Sequence, residues 1–122
     1  MKKVTGIGGI FLKCRDVEQT RAWYAKHLGI RLEDWGAQFN WSEEKNPAAY
    51  SVLSFFKRNT EYFNPSEQPF MINFRVDDLD ALVAELRQEG VDLIGEPVEE
   101  AYGKYAWVMD PEGNKLELWE QL

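Results

Sequence analysis

Two stretches of the chain carry the same order of apolar and polar positions. Residues 10–18, IFLKCRDVE, and residues 72–80, INFRVDDLD, each alternate as a strand does, reach an aspartate, and continue with an apolar residue and a carboxylate; Ile72 lies 62 positions after Ile10. After each aspartate the period changes from that of a strand to that of a helix. In the second copy Leu79, Leu82, Val83 and Leu86 fall at i, i+3, i+4 and i+7, with Asp78 as N-cap and Gly90 as stop. In the first copy Val17, Tyr24 and Leu28 form the stripe, Asp16 is the N-cap, Gln19 is placed to complete a capping box, and Gly29 ends the helix.

Segments of strand character follow each helix. IRLEDW, AQFNW and YSVLSFF come after the first; VDLIGEPVE, KYAWVMD and NKLELWE come after the second, with DPEGN as the tight turn between the last two. The pattern predicts an α+β fold of two tandem βαβββ modules, over about residues 4–57 and 70–121. A polar connection with two prolines joins them over residues 58–69.

Composition narrows the chemistry. A chain of 122 residues, 44% hydrophobic and 14% aromatic, suits one compact domain. The 14 Lys+Arg against 21 Asp+Glu give −7, a field that repels phosphate, so neither nucleic acid nor an anionic membrane surface is expected as a partner. No apolar run approaches the roughly 20 residues of a bilayer span. Lys13 and Arg15 interrupt the stretch in which a signal peptide would stay apolar, so a cytoplasmic location is expected.

One cysteine and one histidine forbid an internal disulfide, a Cys-based zinc site and a His-rich metal site within the chain. His27, the sole possible base for a Ser-His-Asp triad, lies in the helical RAWYAKHLGI, and no Gly-x-Ser-x-Gly elbow presents a serine, so it reads as a surface or packing residue. GIGG at residues 6–9 precedes a strand instead of opening a helix, which makes it a flexible entry and not a phosphate loop. Cys14 faces the core by parity, and Asp110 reads as a turn former.

The tandem modules, VDDLDAL opening the second helix, DPEGNKLEL closing the chain and WYAKHLGI in the first helix together resemble the vicinal oxygen chelate superfamily. That group includes glyoxalase I, bleomycin-resistance proteins, fosfomycin-resistance enzymes and extradiol dioxygenases. The resemblance covers nearly the whole chain and implies an incomplete barrel around a cleft, with one sheet face on the helices and the other lining a cavity. It also implies a homodimer. The scaffold hosts several chemistries, so function has to be read from the site.

Strand parity assigns the faces. In the opening strand Ile10, Leu12 and Cys14 go to the core, leaving Gly9, Phe11 and Lys13 for the cavity; in the strand 71–76, Ile72, Phe74 and Val76 go to the core, leaving Met71, Asn73 and Arg75. Leu116 and Leu118 point to the core, with Lys115, Glu117 and Trp119 opposite, and Tyr105 and Trp107 are the cavity pair of the preceding strand. The expected ligand-binding set is Phe11, Lys13, Trp41, Asn73, Arg75, Tyr105, Trp107, Glu117 and Trp119: aromatic walls around a few polar groups. For Glu117 and Arg75 the competing expectation is a cross-sheet ion pair with no ligand role.

By the resemblance, metal-dependent members carry ligands at the positions of Gly9, Ser54, Met71 and Glu117, of which Glu117 alone suits a hard cation. No cofactor is therefore expected. Three functions follow. The first is metal-free binding of a small aromatic or planar molecule. The second is a metal-independent isomerase, epimerase or lyase with Glu117 as general base and Tyr105 or Arg75 stabilising an enolate. The third is a metal-dependent lyase or dioxygenase with ligands at other positions.

Overall fold

The computed structural model describes residues 3–122. Both predicted helices form where their caps place them. Helix α1, Val17–Leu28, starts at Asp16, whose side chain accepts from the Gln19 backbone N–H, and ends at Gly29 in the left-handed region (φ 65°), whose N–H donates to the Tyr24 carbonyl. Helix α2, Leu79–Gln88, starts at Asp78, whose side chain accepts from the Ala81 N–H. Of the α2 stripe, Leu79, Val83 and Leu86 are buried and Leu82 is half-buried. In α1 the buried pair is Thr20 and Tyr24, whereas Val17, expected in the stripe, is 55% exposed because the helix rests on the sheet through its middle turn.

Four strands form one sheet, all from the second half: β1 (Ile72–Arg75), β2 (Val98–Glu100), β3 (Gly103–Met109) and β4 (Lys115–Gln121). Their order is β1-β4-β3-β2, with β1 and β4 parallel and the other pairs antiparallel. Chain order is therefore strand, helix, three strands, with the last strand closing beside the first. The predicted VDLIGEPVE strand is shorter: only Val98–Glu100 pairs in a ladder, and Leu93 makes a single bridge to Val108.

Both helices cover one face of this sheet. Tyr24 from α1 and Leu79, Val83 and Leu86 from α2 pack on Ile72, Ala106, Val108, Leu116 and Leu118. Each fully buried leucine or valine there contributes about 1.5–3 kcal/mol. A polar lock reinforces the packing. Asp110, 5% exposed in the β3–β4 turn, accepts from the Glu112 and Asn114 backbone N–H groups, from the Asn114 amide and, at 2.6 Å, from the Tyr24 hydroxyl. Burial first, and then the bond to Asp110, push the Tyr24 hydroxyl well above the usual tyrosine range. His27 Nδ1 and Glu89 Oε1, 62 positions apart, meet at 3.0 Å between the ends of the two helices. The repeat offset read from the sequence is thus also a contact between equivalent positions.

The first half departs from expectation. Among the described residues, the opening strand, IRLEDW, AQFNW and YSVLSFF form no ladder; they hold one Glu33–Gly36 bridge and the 3-10 turn Trp41–Glu43. Alternation gives a segment the faces of a strand, but a strand exists only with a hydrogen-bonded neighbour, and the four strands of the sheet pair among themselves. Phe11 is consequently 95% exposed and Phe55 90%. Among the described residues no helix is long and apolar enough to cross a membrane.

Candidate functional site

The face of the sheet away from the helices carries a buried carboxylate. Glu117 sits at the centre of β4, 9% exposed, between the core residues Leu116 and Leu118. Its cross-strand neighbours are Asn73 on β1 and Trp107 on β3. Because directly opposed residues share a face, all three side chains meet in one row. The Asn73 amide donates to Glu117 Oε2 at 2.8 Å, and the Trp107 indole N–H donates to Oε1 at 3.0 Å. A third donor is the hydroxyl of Tyr62, which reaches Oε1 at 2.5 Å.

Tyr62 comes from the connection between the halves, and that connection is fixed to the sheet. Lys115 Nζ donates to the Tyr62 carbonyl at 2.6 Å, and Ser66 Oγ donates to the Gly113 carbonyl at 2.8 Å. The Lys115 ammonium also lies over the rings of Tyr62 and Trp107, 5.3 and 5.7 Å from their centroids. Burial lowers the affinity of Lys115 for its proton, opposed by the charge of Glu117. The Tyr62 hydroxyl is pushed well above its usual range, by burial first and then by its bond to Glu117, so it stays a donor.

Beside the carboxylate runs an aromatic ladder. The ring planes of Trp107 and Tyr105 differ by 12° and those of Tyr105 and Trp119 by 5°, with centroids 6.5 and 6.2 Å apart. Trp119, 5% exposed, is held by its indole N–H on the Tyr102 carbonyl at 3.0 Å. Gly103 makes room for it: with φ at 144°, a Cβ there would lie 2.1 Å from the Glu120 carbonyl oxygen and 2.8 Å from Trp119 Nε1. Tyr105 is raised above its usual range by burial and then by the charges of Glu117 and Glu100.

Five residues of the expected ligand set thus share one surface: Asn73, Tyr105, Trp107, Glu117 and Trp119. Arg75 lines the same open cleft, but it pairs with Glu44 at 2.5 Å, not with Glu117, so the cross-sheet ion pair is corrected. Residue parity puts Arg75 opposite Trp119, one row beyond the carboxylate. Glu44 is held below the usual carboxylate range by the Asn46 backbone N–H and then by Arg75. Phe11 and Trp41 border the cleft with 95% and 77% exposure and do not close it. Lys13 is exposed and forms no part of the wall, since the strand that would have aimed it there is not docked.

Parity missed Tyr62 and the role of Lys115. The first lies in turns, where alternation carries no meaning; its one signal was an adjacent Tyr-Phe pair inside an otherwise polar connection.

The positions at which the resemblance implies metal ligands do not make a donor set. Gly9 has no side chain, Ser54 is exposed on the unpaired first half, and Met71 offers a soft thioether. Around Glu117 the neighbours are N–H and O–H groups whose hydrogens point at the oxygens a cation would need. Among the described residues no group of three or more His, Cys, Asp or Glu is placed to hold a metal ion. The residues at this site do not fit a divalent ion.

Comparison with known proteins agrees with the architecture. The family described as a glyoxalase-like domain matches residues 9–119. Among solved structures, the chain is similar to TnmS3, an antibiotic-binding protein from Streptomyces sp. CB03234, at 21% identity over 100% of both chains with a TM-score of 0.63. It is also similar to a glyoxylase/bleomycin resistance protein/dioxygenase domain from Frankia sp. EAN1pec, at 14% identity over 98% of this chain and 100% of that one (TM-score 0.59). A lactoylglutathione lyase from Agrobacterium tumefaciens shares 15% identity over 98% and 96% of the two chains (TM-score 0.60). No curated protein matches the sequence. At these identities the likeness is one of fold.

Proposed function

Because the chain belongs to the glyoxalase-like domain family, within the vicinal oxygen chelate superfamily, we propose that it binds a small aromatic or planar molecule in the sheet cleft, without a metal ion. The observation that carries this reading is the juxtaposition of a donor-held carboxylate, Glu117, with the parallel rings of Trp107, Tyr105 and Trp119. Flat faces beside one oriented polar group describe a small-molecule site. The structural relative TnmS3 is an antibiotic-binding protein, which is consistent with sequestration on this scaffold.

The finer architecture belongs to the same proposal. Two tandem βαβββ modules would form the incomplete barrel, the first completing its strands in a cytoplasmic homodimer. The exposure of Phe11, Leu53 and Phe55 supports this, since large apolar side chains left in water on segments without a strand partner suit a contact surface.

The second reading is a metal-independent isomerase, epimerase or lyase with Glu117 as base and Tyr105 as enolate donor. Three of the roughly four acceptor positions of the carboxylate are already filled, which favours holding a ligand over removing its proton. Tryptophan-fluorescence screening of planar metabolites and antibiotics tests both. Saturable quenching with no turnover is the expected result; turnover lost in Glu117→Gln with binding retained would establish the enzyme instead. Metal analysis of protein purified without chelator should find substoichiometric divalent ion, and a stoichiometric, tightly held ion would overturn the metal-free reading.

A further inference from the structure

The charges around the ladder point to what the cleft selects. The sheet has three basic residues, and each is already engaged. Arg75 pairs with Glu44, Lys104 Nζ donates to Asp80 at 3.0 Å, and Lys115 is tied to the Tyr62 carbonyl under two rings. An anionic ligand on the ladder would therefore find no free cation of the sheet to receive it; the other cations lining the cleft, Arg21, Lys45, Lys57 and Arg58, belong to the first half and the connection, and carboxylates outnumber cations in the lining by seven to five.

Negative charge, in contrast, is close at hand. The hydroxyl of Tyr105, midway along the ladder, lies within the field of Glu117 and Glu100, and both carboxylates line the cleft. The donors that hold Glu117 are all neutral: a hydroxyl, an amide and an indole. They are also unevenly divided. Oε1 accepts from both Tyr62 and Trp107, whereas Oε2 accepts from Asn73 alone. A carboxylate oxygen has two acceptor directions, so Oε2 keeps one for a further donor. The ring faces reinforce the preference, since the π face of an indole or phenol attracts positive charge.

We infer that the cleft selects a planar aromatic cation, stacked on the half-buried Tyr105 and Trp107 rings and donating an N–H to Glu117 Oε2, while Tyr62 and Asn73 act as positioning residues that orient the carboxylate. This inference rests on the small-molecule reading above and goes beyond it in assigning the ligand's charge and the atom that reads it. Electrostatic complementarity of this kind acts chiefly on discrimination between ligands.

A matched pair of tricyclic probes separates the two claims. Isothermal titration with 9-aminoacridine, a flat cation with N–H donors, and with anthracene-9-carboxylate, a flat anion of similar size, is run on the unsubstituted protein. The expected result is a Kd at least about tenfold lower for the cation. In Glu117→Gln, shown folded by circular dichroism, the ratio should fall to within about threefold of unity. Equal binding of the two probes, or tighter binding of the anion, overturns the charge selection and leaves the small-molecule reading standing. Binding of neither probe overturns both. The comparison on the unsubstituted protein decides the matter even where Glu117→Gln fails to fold.

Discussion

The two halves of this chain carry the same alternating pattern and meet different fates. In the second half, Val108, Leu116 and Leu118 are 0% exposed in a sheet whose every strand has a partner; in the first, Leu53 is 72% and Phe55 90% exposed on segments with none. Period-two alternation therefore specifies which face a side chain takes, and pairing decides whether that face is buried. The helices behave differently. One forms in each half, because their hydrogen bonds and caps are local.

This contrast can be broken at several points. Leu118→Ala should lose about 2–5 kcal/mol in urea unfolding, because it opens a cavity among fully buried neighbours. Gly103→Ala should cost about 1–3 kcal/mol, since a Cβ has no space against the β4 backbone, and it should also disturb the Trp119 indole. Tyr24→Phe should lose about 1–2 kcal/mol by removing the donor that ties α1 to Asp110. The same bond sets a pH dependence. The folded state holds the Tyr24 proton more strongly than the unfolded chain, so its contribution is complete below the ordinary tyrosine range near pH ~10 and declines as pH rises above it. A stability curve flat through that range would contradict this.

Phe55→Ala should change monomer stability by less than about 0.5 kcal/mol, since its ring is already in water. Hydrogen exchange sharpens the comparison. Amides of Val108 and Leu118 should be protected nearly to the global limit, while those of Leu53 and Phe55 should exchange freely in dilute protein and gain protection with concentration if a second copy supplies their neighbours. Protection of residues 50–56 independent of concentration would place a ladder within the single chain.

The sequence made the second half legible for physical reasons. Asp78, the i, i+3, i+4, i+7 stripe and the DPEGN turn are local signals, and parity put Asn73, Trp107 and Glu117 on one face without any coordinates. What stayed hidden is what parity cannot carry. Tyr62 reaches Glu117 across 55 residues from a turn, and Arg75 finds its acid on a first-half loop, contacts set by where loops lie. The first-half strands were legible as patterns and not as pairs, because a pattern does not name its partner.

The five tryptophans allow one measurement to test the account directly. Their indole N–H resonances, followed by two-dimensional NMR during titration with a bound planar ligand, report each ring separately. The account predicts that Trp107 and Trp119, on the ladder face, shift with saturation, while Trp23, packed against the helix-side core, stays in place. Movement of Trp23 or the exposed Trp35 with Trp107 and Trp119 unchanged would contradict it.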